Sequence, residues 1–186
     1  WFAAPDVSSG EGESPIQLKI MSYGMPSDVT ISQPANGTFS PILVSLAANS
    51  TQSIDLTTFL AQIESPSGNT TNSNGLKITA TSPITAYYEV NAPTNKEIFT
   101  LKGNTALGLE FYTPFQKNKN NAVTTPSSYS SIEIIASEDN TTVLITPRTA
   151  IIGHAQDVTF SITLNEGQTY SARDLNVSAS TSLAGS

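Results

Sequence analysis

Val158, Phe160, Ile162 and Leu164 alternate with Thr159, Ser161 and Thr163, and Asn165-Glu166-Gly167 closes the run. A period of two puts every apolar side chain on one face of an extended strand and every polar one on the other. The same alternation returns at short intervals: Ile16, Leu18, Ile20; Val29, Ile31, stopped at Pro34; Ile42, Val44, Leu46. Further on come Leu76, Ile78, Ala80; Ile84, Ala86, Tyr88, Val90; then Ile98 to Leu101 and Leu107 to Tyr112. Ile132, Ile134, Ala136, then Val143, Ile145, and finally Thr169 to Ala172 complete the series. Tyr87 and Tyr88, adjacent on one strand, must face opposite sides, so one of them lies outside the core. Only residues 57 to 64 break the pattern. There Phe59, Leu60 and Ile63 share a helical face and Asp55 stands where it can cap, which predicts one short helix. Many short strands at close spacing with one helix predict an all-β fold of the β-sandwich or jelly-roll type.

The two ends of the chain repeat each other. Ile16–Ile20 matches Ile132–Ala136, Val29–Pro34 matches Val143–Pro147, and Ile42–Leu46 matches Phe160–Leu164. A polar turn, a return strand and Asp-Leu follow in each case, Asp55-Leu56 and Asp174-Leu175. Matches held in order at nearly constant spacing point to duplication. Two β-sandwich or jelly-roll-like units are therefore expected: residues 1–128, with connecting strands and a loop, and residues 129–186. In the second, Leu183-Ala184-Gly185-Ser186 ends at the glycine that matches Gly75, so its last two strands are expected to be missing. Residues 65–75 and 117–128 read as polar loops.

Charge removes several functions. Eight Lys and Arg against fifteen Asp and Glu give a net charge of -7. Binding to the nucleic-acid backbone needs Lys and Arg to release counterions, and anionic lipid makes a similar demand. The absence of cysteine removes disulfides, thiolate catalysis and cysteine-ligated metal sites. No apolar run reaches the ~18 residues of a membrane-spanning helix. Ser, Thr and Asn make up about a third of the chain, a bias shared by bacterial surface and secreted modules.

Chemistry-bearing groups are sparse. A glycosidase needs two carboxyls flanking one bond. Glu89, Glu97 and Glu110 lie on or beside strands, where such acids face water, and Glu138-Asp139 is a turn. His154, the single histidine, sits in a connection and reads as structural or exposed. No Gly-x-Ser-x-Gly elbow occurs. Calcium needs six to eight oxygens, and Asp6, Glu11 and Glu13 in a Gly/Ser loop are the candidate ligands. Sequons begin at Asn36, Asn49, Asn69, Asn140 and Asn176 and read as accidents of composition.

Local charge and aromatics single out one stretch. Lys96, Lys102, Lys117 and Lys119 fall close together in an acidic chain, beside Tyr112, Phe115 and Tyr129. Aromatic rings with amide and ammonium donors recognise sugars and protein surfaces. The candidate ligand-binding residues are Lys102, Asn104, Tyr112, Gln116, Lys117 and Lys119. The competing reading places Phe111 and Phe115 in the core and leaves the lysines to solubilise a loop.

Several segments carry a resemblance: Trp1–Asp6, Ser82–Glu89, Phe99–Asn104, Ala106–Gly108, Phe111–Gln116, Glu138–Val143 and Gly167–Tyr170. The chain resembles the IgG Fc-binding protein N-terminal domain family, in the form found in large secreted proteins of Bacteroidetes. The block from Lys102 to Gln116 is the most specific part. The resemblance implies a β-rich, adhesin-like module, extracellular or at the cell surface, within a longer multidomain chain. It carries over no binding site.

The expected function is thus non-catalytic: an adhesion or ligand-binding module of a larger bacterial surface or secreted protein. Its partner would be a glycan or protein on a host or neighbouring cell, with no nucleic acid, no membrane insertion and no cofactor beyond a candidate calcium. The alternatives are a structural stalk or spacer and, third, a polysaccharide-active hydrolase.

Overall fold

Alternation becomes strand wherever the chain offers an antiparallel partner. The computed structural model describes residues 1–6, 14–65, 68–93, 96–114, 127, 129–176 and 182–186. In chain order the strands are β1 (Ala4–Pro5), β2 (Ile16–Ser22), β3 (Ser27–Ser32), β4 (Ile42–Leu46), β5 (Thr51–Asp55), β6 (Glu64–Ser65) and β7 (Thr71–Asn72). They continue as β8 (Lys77–Ala80), β9 (Ile84–Asn91), β10 (Lys96–Leu101), β11 (Ser131–Ile135), β12 (Thr141–Ile145), β13 (Phe160–Leu164) and β14 (Thr169–Arg173). The predicted helix is a 3-10 turn at Thr57–Phe59 that runs into α1 (Leu60–Ile63). Asp55 Oδ1 accepts the Thr57 N–H at 2.8 Å, so the expected acid does stand at its start.

The first unit is two facing sheets, in the orders β10-β9-β2-β5 and β4-β3-β8. Leu18, Ile20 and Tyr88 point inward from one sheet and Val29, Ile31 and Leu46 from the other, all 4% exposed or less. Tyr87 faces out while Tyr88 is buried, as the period requires. Phe2 closes one end of this core, its ring 4.8 Å from Tyr88 and 5.9 Å from Phe99. A second core gathers Ala136, Ile145, Ile151, Leu164, Tyr170, Ala172 and Leu183 between β11-β14-β7 and β12-β13.

The repeat read from sequence is present as pairing. Val29 faces Val44 and Ile31 faces Ile42 in β3–β4; Val143 faces Ile162 and Ile145 faces Phe160 in β12–β13. Leu18 faces Ile54 in β2–β5, and Ile132 faces Ala172 in β11–β14. The flanking backbone bonds also correspond. Leu56 N–H to Ile16 O is matched by Asp174 N–H to Ser130 O, and Ser22 N–H to Ser50 O by Ala136 N–H to Gln168 O. Both return turns use a left-handed residue, Asn49 at φ 55° and Gly167 at φ 78°. Only glycine fits at 167, where a Cβ would stand 3.0 Å from the Ala35 nitrogen.

This register corrects two of the sequence matches. Leu18, and not Ile16, is the counterpart of Ile132, because a slip of two residues keeps every side chain on its face and leaves alternation unchanged. Asp55 corresponds to Arg173 and Leu56 to Asp174, so the Asp-Leu match was a coincidence of composition.

Three further expectations change. Leu107–Tyr112 is no strand, the run at Val158 becomes strand only at Phe160, and the 65–75 loop contains β7. β7 pairs with β14, so residues of the first segment edge a sheet of the second. All five β14 residues are buried, because both faces of the strand are covered. Tyr170 and Ala172 face the second core, while Thr169, Ser171 and Arg173 face the junction between the units.

Candidate functional site

The segment that leaves β10 carries half of the candidate residues. Lys102 precedes a 3-10 turn at Gly103–Ala106, in which Thr105 Oγ1 donates to Lys102 O at 2.6 Å and the Leu107 N–H donates to Asn104 O. From Leu107 to Thr113 the chain forms no strand and bends at Leu109. The Thr113 N–H donates to Ser186 O at 3.2 Å and the Gly185 N–H to Thr113 O at 3.0 Å. The result is a strap between the units, held at both ends.

Its apolar side chains face water: Leu107, Leu109, Phe111 and Tyr112 are 49%, 107%, 66% and 72% exposed. The competing expectation that Phe111 belongs to the core is therefore corrected; its ring lies over Gly108 on the surface. The Tyr112 hydroxyl donates to Glu110 Oε1 at 2.9 Å, and that bond raises the phenol's pKa, opposed weakly by the charge of Arg148. Arg148 is held beside the strap's far anchor by Gly185 O, Ser186 Oγ and Asp157.

Lys102 also borders a groove of about 170 Å³ with Trp1, Ile78, Ile84, Leu101 and Gly103. The Lys77 ammonium lies 4.7 Å from the Trp1 ring and pairs with Glu166 at 2.7 Å. Lys102, Asn104 and Tyr112 thus share one strap, while Gln116, Lys117 and Lys119 lie outside the described residues. Sequence reasoning missed Trp1, Ile78 and Ile84, which reach the groove from distant parts of the chain, and took the exposed leucines for a sheet.

The expected calcium ligand Asp6 has a different partner. Arg173, 5% exposed, donates to Asp6 Oδ2 at 3.0 Å, to Ser65 O and to Ser171 Oγ, with the Tyr129 ring 5.4 Å from its guanidinium carbon. Glu11 and Glu13 lie outside the described residues. Among the described residues no three His, Asp or Glu side chains stand together as a metal would require. The acids weighed as catalytic pairs are dispersed. Glu89 pairs with Lys19 at 2.5 Å, Glu110 holds Tyr112, and Asp139 accepts the Glu166 N–H.

His154 is built into the scaffold. Its ring stacks on Phe160 at 3.4 Å, and Nε2 lies 2.9 Å from Asn69 Oδ1, which also accepts the Tyr170 hydroxyl at 2.8 Å. The two rings fix Asn69, which is left-handed at φ 56°, at the entrance to β7.

Glu133, on β11, accepts a hydrogen bond from Ser171 Oγ at 2.8 Å. Burial pushes its carboxyl from 4.5 up to about 7, against the opposing pull of Ser131, Ser171 and Arg173. The folded state therefore binds this proton more tightly than the unfolded chain does. The stabilisation is full below pH 4.5 and is lost as pH rises toward 7, by up to about 3 kcal/mol. Urea unfolding at pH 5 and pH 8 should show the loss, and Glu133→Gln, which keeps an acceptor for Ser171, should flatten it. An unchanged slope in the variant would assign the pH dependence to other groups.

Residues 96–186, from β10 through the strap and the second unit, match the family model described as IgGFc binding protein. No curated protein and no solved structure matches the chain. No helix of the described residues is long and apolar enough to cross a membrane.

Proposed function

We propose, from the match of residues 96–186 to the IgGFc-binding protein family model, that this chain is a non-catalytic binding module of an extracellular protein. Its ligand is another protein, seated on the strap from Lys102 to Tyr112 and the lysines that follow it. The single observation that carries this reading is the exposure of Leu107, Leu109, Phe111 and Tyr112 along one tethered segment. Contiguous apolar side chains on a polar surface mark an interaction site, and aromatic anchors supply most of an interface's affinity. Tethering at both ends lowers the ordering cost that a free loop would incur on binding. Lys102, Lys117 and Lys119, in a chain of net charge -7, favour an acidic face on the partner.

The family's description names the Fc region of immunoglobulin G, which makes the Fc fragment the first probe and whole serum the second. Immobilised wild-type protein is expected to retain a protein from one of them. Leu109→Ser with Phe111→Ser should weaken retention at least about tenfold, because anchors that become buried on binding carry the affinity. Lys102→Glu, Lys117→Glu and Lys119→Glu together should slow association, with an effect that fades as salt rises. A wild-type chain that retains nothing from either source, or variants that bind like wild type, would overturn the reading in favour of a spacer.

A further inference from the structure

The two cores share no side chain among the described residues, and the groups that join the units are largely polar. The Asn69 N–H donates to Ser171 O at 3.1 Å and the Gly75 N–H to Gly167 O at 3.2 Å. Ser65 and Thr169 meet through their hydroxyls at 3.1 Å, and Lys77 pairs with Glu166. A polar interface between units parts at lower cost than a core unfolds. One acid stands inside it. Ile132 and Ile134 pack against the second core, so Glu133 between them points to the junction. Its Oε1 accepts the Ser171 hydroxyl at 2.8 Å, and Ser171 Oγ accepts the Arg173 Nε–H at 3.3 Å. Its Oε2 is buried with no hydrogen-bond partner among the described residues. The charges that act on Glu133 are Arg173 from β14 and Asp6, which follows β1. From β6 the Ser65 carbonyl reaches Arg173, while Glu64 acts on Tyr88 of the first core. β7 carries no charge. One guanidinium thus lies between carboxyls of the two units, and its ion pair is with Asp6.

We infer that the junction is a proton-coupled hinge: the units part, each with its core intact, as Glu133 gives up its proton. Ionised in the closed form, Glu133 adds a second buried negative charge beside a cation already held by Asp6, with one oxygen unbonded. Parting the units brings that carboxyl to water while Ile132 and Ile134 stay in their core. The closed form therefore holds Glu133 neutral, and the open form lets it ionise as an exposed acid does. Burial pushes the closed-form carboxyl from 4.5 up to about 7, so opening releases a proton between those limits. In that range opening becomes about tenfold easier per pH unit. Below it Glu133 is neutral in both forms, above it ionised in both, and the dependence levels off. The hinge uses none of the strap's side chains, so it stands or falls apart from the ligand site proposed there.

Native-state hydrogen exchange of the whole chain tests this, each rate being divided by its intrinsic value at the same pH. The reporters are the amides of Asn69 and Gly75, which bond across the junction. The references are the slowest amides of the β2–β9 and β12–β13 pairs, which report unfolding of the units themselves. In wild type the junction amides should exchange faster than the references at every pH. Their protection should fall at least about tenfold from pH 5 to pH 7. In Glu133→Gln, shown to be folded by circular dichroism, it should change by less than about threefold. If that variant does not fold, the wild-type slope decides alone. Three results overturn the proposal: junction amides that exchange only as slowly as the references, wild-type protection that is flat between pH 5 and pH 7, or a slope retained in folded Glu133→Gln.

Discussion

Arg173→Met is expected to lower the unfolding free energy by about 3–5 kcal/mol, the cost of breaking a buried ion pair by removing one member. Arg173 is 5% exposed and reaches across the junction to Asp6 and Ser65 O. Methionine fills a similar volume but leaves Asp6 facing a buried apolar group. Against a typical stability of ~5–15 kcal/mol, the loss should be plain in a urea titration. Adding Asp6→Leu should recover much of it, since a buried pair replaced on both sides by apolar groups is often close to neutral. A single-variant loss below about 1 kcal/mol, the value of an exposed pair, would show that water reaches the junction.

The second large effect compares counterpart positions. Ile20→Ala should cost about 2–5 kcal/mol, because β9 and β5 enclose a side chain with no exposure and the vacated space cannot collapse fully. Ile134→Ala removes the same atoms from a half-buried site whose outer neighbour is not among the described strands. Its cost should be less than half as large. Equal costs would mean that the second core is as closed as the first.

Much of this fold is legible in the sequence because one period governs it. Alternation located β2, β3, β4, β9, β12 and β13 within a residue or two, and it separated Tyr88 from Tyr87. It could not set register to better than two residues, which is why Ile16 was matched to Ile132 in place of Leu18. It also made a strand of Leu107–Tyr112. Leu-Gly-Leu-Glu-Phe satisfies the pattern, but a strand needs a partner edge, and the described chain offers none there. The site was legible where it is local: Lys102, Asn104 and Tyr112 are close in sequence and share the strap. It was illegible where it is assembled from afar. Trp1 meets Ile78 and Ile84 only through the sheet, and Asp6 reads as a calcium ligand until Arg173, 167 residues away, is placed beside it.

The central claim, that a protein partner seats on the strap, is tested most directly by site-specific photo-crosslinking. A photoreactive phenylalanine analogue replaces Tyr112 in one sample and Leu43, 75% exposed on β4, in another. Each is irradiated with Fc fragment and with serum. The account expects a covalent adduct to a single protein from position 112, absent from position 43 and abolished by Leu109→Ser with Phe111→Ser. Adducts of equal yield from both positions, or none from 112 while the immobilised chain still retains a protein, would contradict it.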